Sequence, residues 1–158
     1  DILLKAYIKL LLKFPTIHMV FAGPDEGLGD QLRKKIKKES LENKIHLIGY
    51  IEGYDKVGAY TGAEFLVVPS RREAMSIVAL EAGACGTPVI LTTECGFDEV
   101  KEVGCKVVQP IADELYNGMN SMLSSSKSLK ALGNDLCNLI LERYTWKKSA
   151  EQYLKFLP

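Results

Sequence analysis

"VVPSRREAMSIVALEAGACGTPVILTT", Val67 to Thr93, holds a strand, a loop, a helix and a second strand in one short stretch. Val67 and Val68 continue an apolar run from Phe65 that ends at Pro69, a residue with no N–H to give to a sheet ladder. "SRREAM", Ser70 to Met75, is then a loop at the strand's carboxyl edge, and Ser76 stands where an N-cap belongs, ahead of a helix starting at Ile77. The small residues Ala82, Gly83, Ala84, Cys85 and Gly86 let that helix approach the sheet closely before Pro88 opens the next strand. A strand, a crossover helix and a second strand in this order predict a parallel pair with a right-handed connection.

The same alternation extends in both directions. "DILLKAYIKLLLKFP" sets Ile2, Leu3, Ala6, Leu10, Leu11 and Phe14 at helical spacing and stops at Pro15. "IHMVFAGPDEG" reads as a buried strand that breaks at Gly23 and Pro24, and "LGDQLRKKIKKESLE" as a polar helix whose lysines form a solvated face. Strand "KIHLIGY", a short helix in "DKVGAYTGA" and strand "EFLVVPS" follow. Beyond Thr93 come a short helical or turn segment around "FDEVKEVG" and strand "CKVVQP". The remainder to Pro158 is helical, with a turn at "SSSKS" and a cap at Thr145. Five apolar strands alternating with helices predict an α/β fold, a doubly wound parallel sheet flanked by helices, as a single domain over residues 1–158.

Composition narrows the function classes. Twenty basic and twenty acidic residues cancel, so bulk charge does not point to nucleic acid; "RKKIKK", Arg33 to Lys38, is a local exception that reads as a solvated helix face rather than a lipid-binding patch. Cys85, Cys95, Cys105 and Cys137 have no C-x-x-C spacing and lie far in sequence from His18 and His46, which argues against zinc and for free thiols in a reducing compartment. With no long apolar span and no signal-peptide pattern, the expected location is cytoplasmic. His18 and His46 fall in strands and read as packed rather than catalytic. "GPDEGLG" is not a G-x-G-x-x-G fingerprint, so no dinucleotide cofactor is expected.

The chemistry concentrates around Ser76. Ligands of open parallel sheets bind outside the carboxyl ends of the strands, and the backbone amides of Met75, Ser76 and Ile77, with the positive end of the helix dipole, suit a phosphate. Glu81 lies on the same helical stripe as Ile77, Ala84 and Cys85, roughly 6 Å along the axis from the helix start. An ionised carboxylate there needs donors. The vicinal hydroxyls of a ribose would supply them; a salt bridge, or rotation toward solvent, is the bland alternative. Glu73, in the loop, would flank the phosphate amides on the other side, or pair at the surface with Arg71 and Arg72.

At these residues the sequence resembles the glycosyltransferases of family 4, also called group 1, whose C-terminal Rossmann-like domain carries P-S-x-x-E-x7-E-A-x-A-x-G-x-P-V. Pro69, Ser70, Glu73, Glu81, Ala82, Ala84, Gly86, Pro88 and Val89 match in register, and "FAGPDEG", "LIGYI", "GFDEV" and "YTW" match elsewhere, so the resemblance covers essentially the whole chain. It implies the donor-binding C-terminal domain of a GT-B enzyme. In that reading Glu73 is catalytic and faces the donor sugar near the reacting carbon, and Glu81 binds the ribose hydroxyls. Backbone amides from Ala74 through Met75 and Ser76 to Ile77 bind sugar hydroxyls and diphosphate, and Gly49, Tyr50 and Ile51 border the base. The implied reaction transfers a hexose with retention, without metal or other cofactor, from a nucleotide-diphosphate sugar in glycan, polysaccharide or glycolipid synthesis.

Two departures from the pattern matter. Many members have Glu-Gly-Phe-Gly where this chain has Glu73, Ala74, Met75 and Ser76, which bears on the sugar contacts and donor choice. The family domain also begins with a central strand and a basic Gly-Arg…Lys-Gly segment, after an N-terminal acceptor domain, and this sequence starts at the helix that follows. Its neighbours would then lie about 9–10 Å apart, two inter-strand spacings, unless the sheet closes up or something else fills the gap. The expectation is a fragment, inactive alone, whose partners are the donor, the missing N-terminal domain, a peripheral membrane acceptor and a second copy, with no nucleic acid. Competing readings are half of a sugar-nucleotide epimerase or phosphorylase, and a non-catalytic binding module that kept the fold.

Overall fold

The computed structural model describes residues 1–156. Helix α1 (Ile2–Leu11) starts on Asp1, whose carboxylate accepts from the Ile2 amide, and buries two stripes. Leu3, Ala6 and Leu10 pack with Leu115, Met119 and Met122 of α5 (Ala112–Leu123), while Leu4 and Tyr7 pack with Ile36 of α2 (Gly29–Lys38) and Ile45. Ile36 is the one buried residue of α2, so its lysines do form a largely solvated face. The Tyr7 hydroxyl lies 2.9 Å from the Ile17 carbonyl and 3.0 Å from the Lys44 carbonyl, pinning the chain where β1 (Met19–Ala22) and β2 (Ile45–Gly49) begin.

All strand pairs are parallel, as the alternation predicts, but the strands form two sheets rather than one. β1 pairs with β2 from Met19↔Ile45 to Phe21↔Leu47, with a register slip before Ala22↔Gly49. Separately, β4 (Val89–Thr92) lies between β3 (Leu66–Val68) and β5 (Lys106–Val108), in register at Leu66↔Val89 and Ile90↔Lys106. Every residue of β4 is buried, which is why "VILT" is an unbroken apolar run. β1 and β3 make no ladder with each other, yet Met19 and Phe21 of one and Phe65 and Val67 beside or in the other rest on the same cluster around Leu3, Leu10 and Ile90. The sheet has therefore not closed up between them.

On the other face, α4 (Ile77–Ala84) packs on α6 (Leu129–Arg143). A side chain at Gly83 would run into Leu136 and Ile140, and one at Gly133 would meet the Gly86 carbonyl, with its carbon 2.7 Å away. The small-residue run after Glu81 thus serves a close helix-to-helix contact as well as the approach to the sheet anticipated for it. By contrast α3 (Gly53–Gly62) and α7 (Trp146–Leu154) bury none of their described residues, and Trp146 and Tyr153 are exposed. Thr145 caps α7 as expected, its hydroxyl accepting from the Lys148 amide; the helical reading of Leu157 and Pro158 lies outside the described residues. Of the two histidines expected in strands, only His46 is in one: His18 is exposed just ahead of β1 and its ring stacks on that of His46 at 5.2 Å, with Nδ1 and Nε2 3.0 Å apart.

Candidate functional site

Residues 69–76 leave the carboxyl end of β3 and are braced from the β4 side. The Thr92 hydroxyl donates to the Ser70 carbonyl, the Ser76 amide donates 3.0 Å to the Cys95 carbonyl, and the Cys95 thiol lies 3.4 Å from the Val68 carbonyl. Gly96, at φ +62°, presses so closely on the Ala74 carbonyl that there is no room for a Cβ. The short 3₁₀ turn Thr93–Cys95 and the glycine after it therefore set the height of the loop that carries Glu73.

This bracing corrects two expectations about Ser76. Its backbone N–H is spent on Cys95, so of the amides expected to form an anion site that of Ser76 is not a free donor. Ser76 does occupy the N-cap position of α4, but its side chain makes no capping bond. The hydroxyl is instead sealed under the loop, fully buried and without a partner. Glu73 is half-buried, and its Oε2 is likewise buried with no donor in reach. Leaving a carboxylate oxygen in that condition costs about 1–3 kcal/mol or more. The surface pairing of Glu73 with Arg71 and Arg72 is not formed; Arg71 lies 3.4 Å from Asp1 instead.

Glu81 sits on the open side of α4, with Ile77 and Ala84 of its stripe exposed and Ala79, Ala82 and Gly83 turned inward. Its Oε2 accepts from the Lys56 ammonium at 2.6 Å and from the Tyr60 hydroxyl at 2.9 Å. Burial, then the bond to Glu81, pushes the Tyr60 phenol well above its ordinary range, and burial followed by the Glu81 charge raises the Cys85 thiol. Sequence reasoning anticipated a salt bridge as one fate of Glu81 but not its partners. Their signal was only the i,i+4 spacing of Lys56 and Tyr60, which sets them on one face of α3.

The remaining predicted residues lie at the end of β2. Gly49 is its last residue, at φ +72°, and its carbonyl accepts 2.8 Å from the Gly23 amide. Tyr50 is exposed and donates to Glu52, and Ile51 is half-buried just before α3 begins. Because α3 carries Lys56 and Tyr60, the loop at 49–51 is joined through one helix to Glu81.

A profile of the family described as "Glycosyl transferases group 1" matches residues 1–135. The chain belongs to that family. Over 155 residues it is 28% identical to an uncharacterised glycosyltransferase of Methanocaldococcus jannaschii, covering 96% of this chain and 39% of that protein. The fold matches HepE of Anabaena, solved in complex with UDP, at a TM-score of 0.84 and 20% identity, covering 98% of this chain and 43% of that one. It also matches the C-terminal domain of a group 1 glycosyl transferase (LpcC) of Francisella tularensis at a TM-score of 0.80 and 24% identity, covering 92% and 78%. This group 1 domain thus has the Rossmann-like GT-B arrangement, with parallel sheets between helices, and spans about two fifths of the archaeal relative. None of its described helices is long and apolar enough to cross a membrane.

Proposed function

We propose that this chain is the donor-binding half of a two-domain retaining glycosyltransferase and that a nucleotide-diphosphate sugar binds beside Glu73 and the start of α4. The observation that carries the reading is the buried, unpartnered Oε2 of Glu73 in a loop braced by Thr92, Cys95 and Gly96. A fold spends stability on such a group where a ligand completes it, and a donor sugar has hydroxyls to offer. Family membership and the likeness to a UDP-bound structure support the same conclusion.

In this reading Glu81 accepts from the ribose, and the 49–51 loop borders the base. The leaving diphosphate lies at the start of α4, where the helix dipole and the Ala74, Met75 and Ile77 amides offset its growing negative charge. Glu73 stands by the anomeric carbon and favours its oxocarbenium character, with no metal or cofactor required. Transfer also needs the acceptor-holding domain, so residues 1–158 bind donor without turning it over. The leaving phosphate serves as base for the acceptor.

Calorimetric titration of UDP, GDP and ADP, each free and as a hexose conjugate, tests the reading. One nucleotide series should bind, and Glu81→Ala should weaken that whole series by about 10- to 100-fold, the value of a hydrogen bond to a charged group. Glu73→Gln should weaken the sugar conjugate more than the free diphosphate. Absence of nucleotide binding, or an equal loss of both ligands in Glu73→Gln, would refute the assignment.

A further inference from the structure

We infer that Lys56 and Tyr60 are positioning residues for ribose selection: they hold one oxygen of Glu81 and leave the other as the acceptor offered to ligand. This rests on the proposed ribose role of Glu81. Both donors converge on the same atom, Oε2, at 2.6 and 2.9 Å, and come from one helix face. A glutamate side chain has three rotatable torsions, and two fixed donors on a single oxygen define where its partner oxygen points. Tyr60 is itself fixed, since its ring packs against the core cluster that includes Val68 and Ala82 and its carbonyl accepts 2.7 Å from the Thr87 hydroxyl in the turn after α4. Lys56 and Glu81 have side chains only 35% and 37% exposed, so the pair is shielded enough to persist yet open on one side.

The same contacts also hold the helix. α3 buries no residue fully, and its apolar hold on the core is the half-buried Tyr60 ring, a smaller anchor than those that seat α4 or α5. Its side-chain bonds to α4 and the turn after it are the two to Glu81 and the one from Thr87. Glu81 is therefore a joint: one oxygen ties down the helix that follows the 49–51 loop, and the other faces ligand. A ribose hydroxyl that pulled on Oε1 would be transmitted to α3 through a carboxylate already committed at its far side.

The test compares a nucleoside diphosphate with its 2′,3′-dideoxy counterpart, reading the ratio of dissociation constants. Wild type should favour the ribose form at least tenfold, and Glu81→Ala should bring the ratio near one. Tyr60→Phe keeps the ring packing and removes only the hydroxyl; it and Lys56→Met should each lower the ratio severalfold while dideoxynucleotide affinity stays within twofold. Lys56→Arg should recover most of the ratio. A role confined to packing would weaken both ligands together and overturn the inference. A ratio that collapses in Glu81→Ala but is untouched in Tyr60→Phe and Lys56→Met would overturn it while leaving the ribose role of Glu81 standing. A wild-type ratio near one, or no binding, would remove both.

Discussion

Gly96→Ala should damage both the stability of the domain and its hold on a sugar nucleotide. Gly96 lies at φ +62°, in the left-handed region, where an alanine costs about 1–2 kcal/mol. A Cβ there would stand 2.8 Å from the carbonyl carbon of Ala74, closer still to its oxygen, and 3.4 Å from Met75 Cα. Carbon pairs settle at about 3.5–4.0 Å, so the loop must give way by nearly an ångström, an overpacking worth about 1–3 kcal/mol. Together these come to about 3 kcal/mol and lower Tm by about 6–12 °C in a domain of this size. Gly86→Ala is the internal control: its φ is +78° but a Cβ would meet nothing within 4 Å, so only the conformational cost remains and Tm should fall by about 3–6 °C. Thermal scans of both variants, followed by calorimetry with the sugar nucleotide that wild type binds, separate the contributions. Equal melts for the two would mean that the 70–76 loop yields freely to the Thr93–Gly96 turn, and the bracing argued for Glu73 would be wrong.

Two further outcomes follow from the same packing. Burial, followed by the influence of the Glu99 carboxylate, pushes the Tyr144 phenol up to about 12, and Tyr60 and Tyr7 are also raised, chiefly by burial. Unfolded tyrosines ionise near 10, so as pH rises from about 10 to 12 the unfolded chain releases protons that the folded chain keeps, and stability falls across that window. Phenolate absorbance should rise in separate steps, with Tyr144→Phe removing a late one and flattening the loss of stability; one step for all seven tyrosines in folded protein would contradict this. Leu136 is fully buried against the Gly83 side of α4, and Leu136→Ala should cost about 2–5 kcal/mol in a urea melt, whereas a loss under about 1 would mean that α4 and α6 are not tightly packed.

The elements that were legible in the sequence are those whose burial is one-sided or complete. β4 could be read because all four of its residues are buried, and α1 because its apolar residues recur at helical spacing and Pro15 closes the segment. The division of the strands into two sheets was legible only through the family pattern: nothing in "MVFA" or "LVV" says that β1 and β3 lack a common ladder, since each is apolar enough to sit anywhere in a parallel sheet. α3 was placed by the alternation of strands and helices, since none of its residues is fully buried and its apolar pattern is faint.

The site divides along the same line, and Glu81 shows why. Its position on α4 follows from counting residues after Ser76, and its need for donors follows from electrostatics. Which donors meet it depends on how α3 is laid against α4, a packing between segments twenty-one positions apart in the Tyr60–Glu81 bond. Ser76 makes the converse case: a serine before an apolar helix run is what a cap looks like, yet the turn at Cys95 captures its amide and leaves its hydroxyl sealed beneath the loop. Local chemistry nominated Glu73, Ser76 and Glu81, whereas tertiary contacts assigned their free atoms. Glu73 Oε2 is buried and unpartnered, Ser76 has its amide bound to Cys95 and its hydroxyl sealed in, and Glu81 has Oε2 bound to α3. In the proposed reading, donor recognition is therefore a property of the α3–α4 and β4 contacts as much as of the two glutamates, and variants at Gly96, Tyr60 or Lys56 should alter it without replacing either carboxylate.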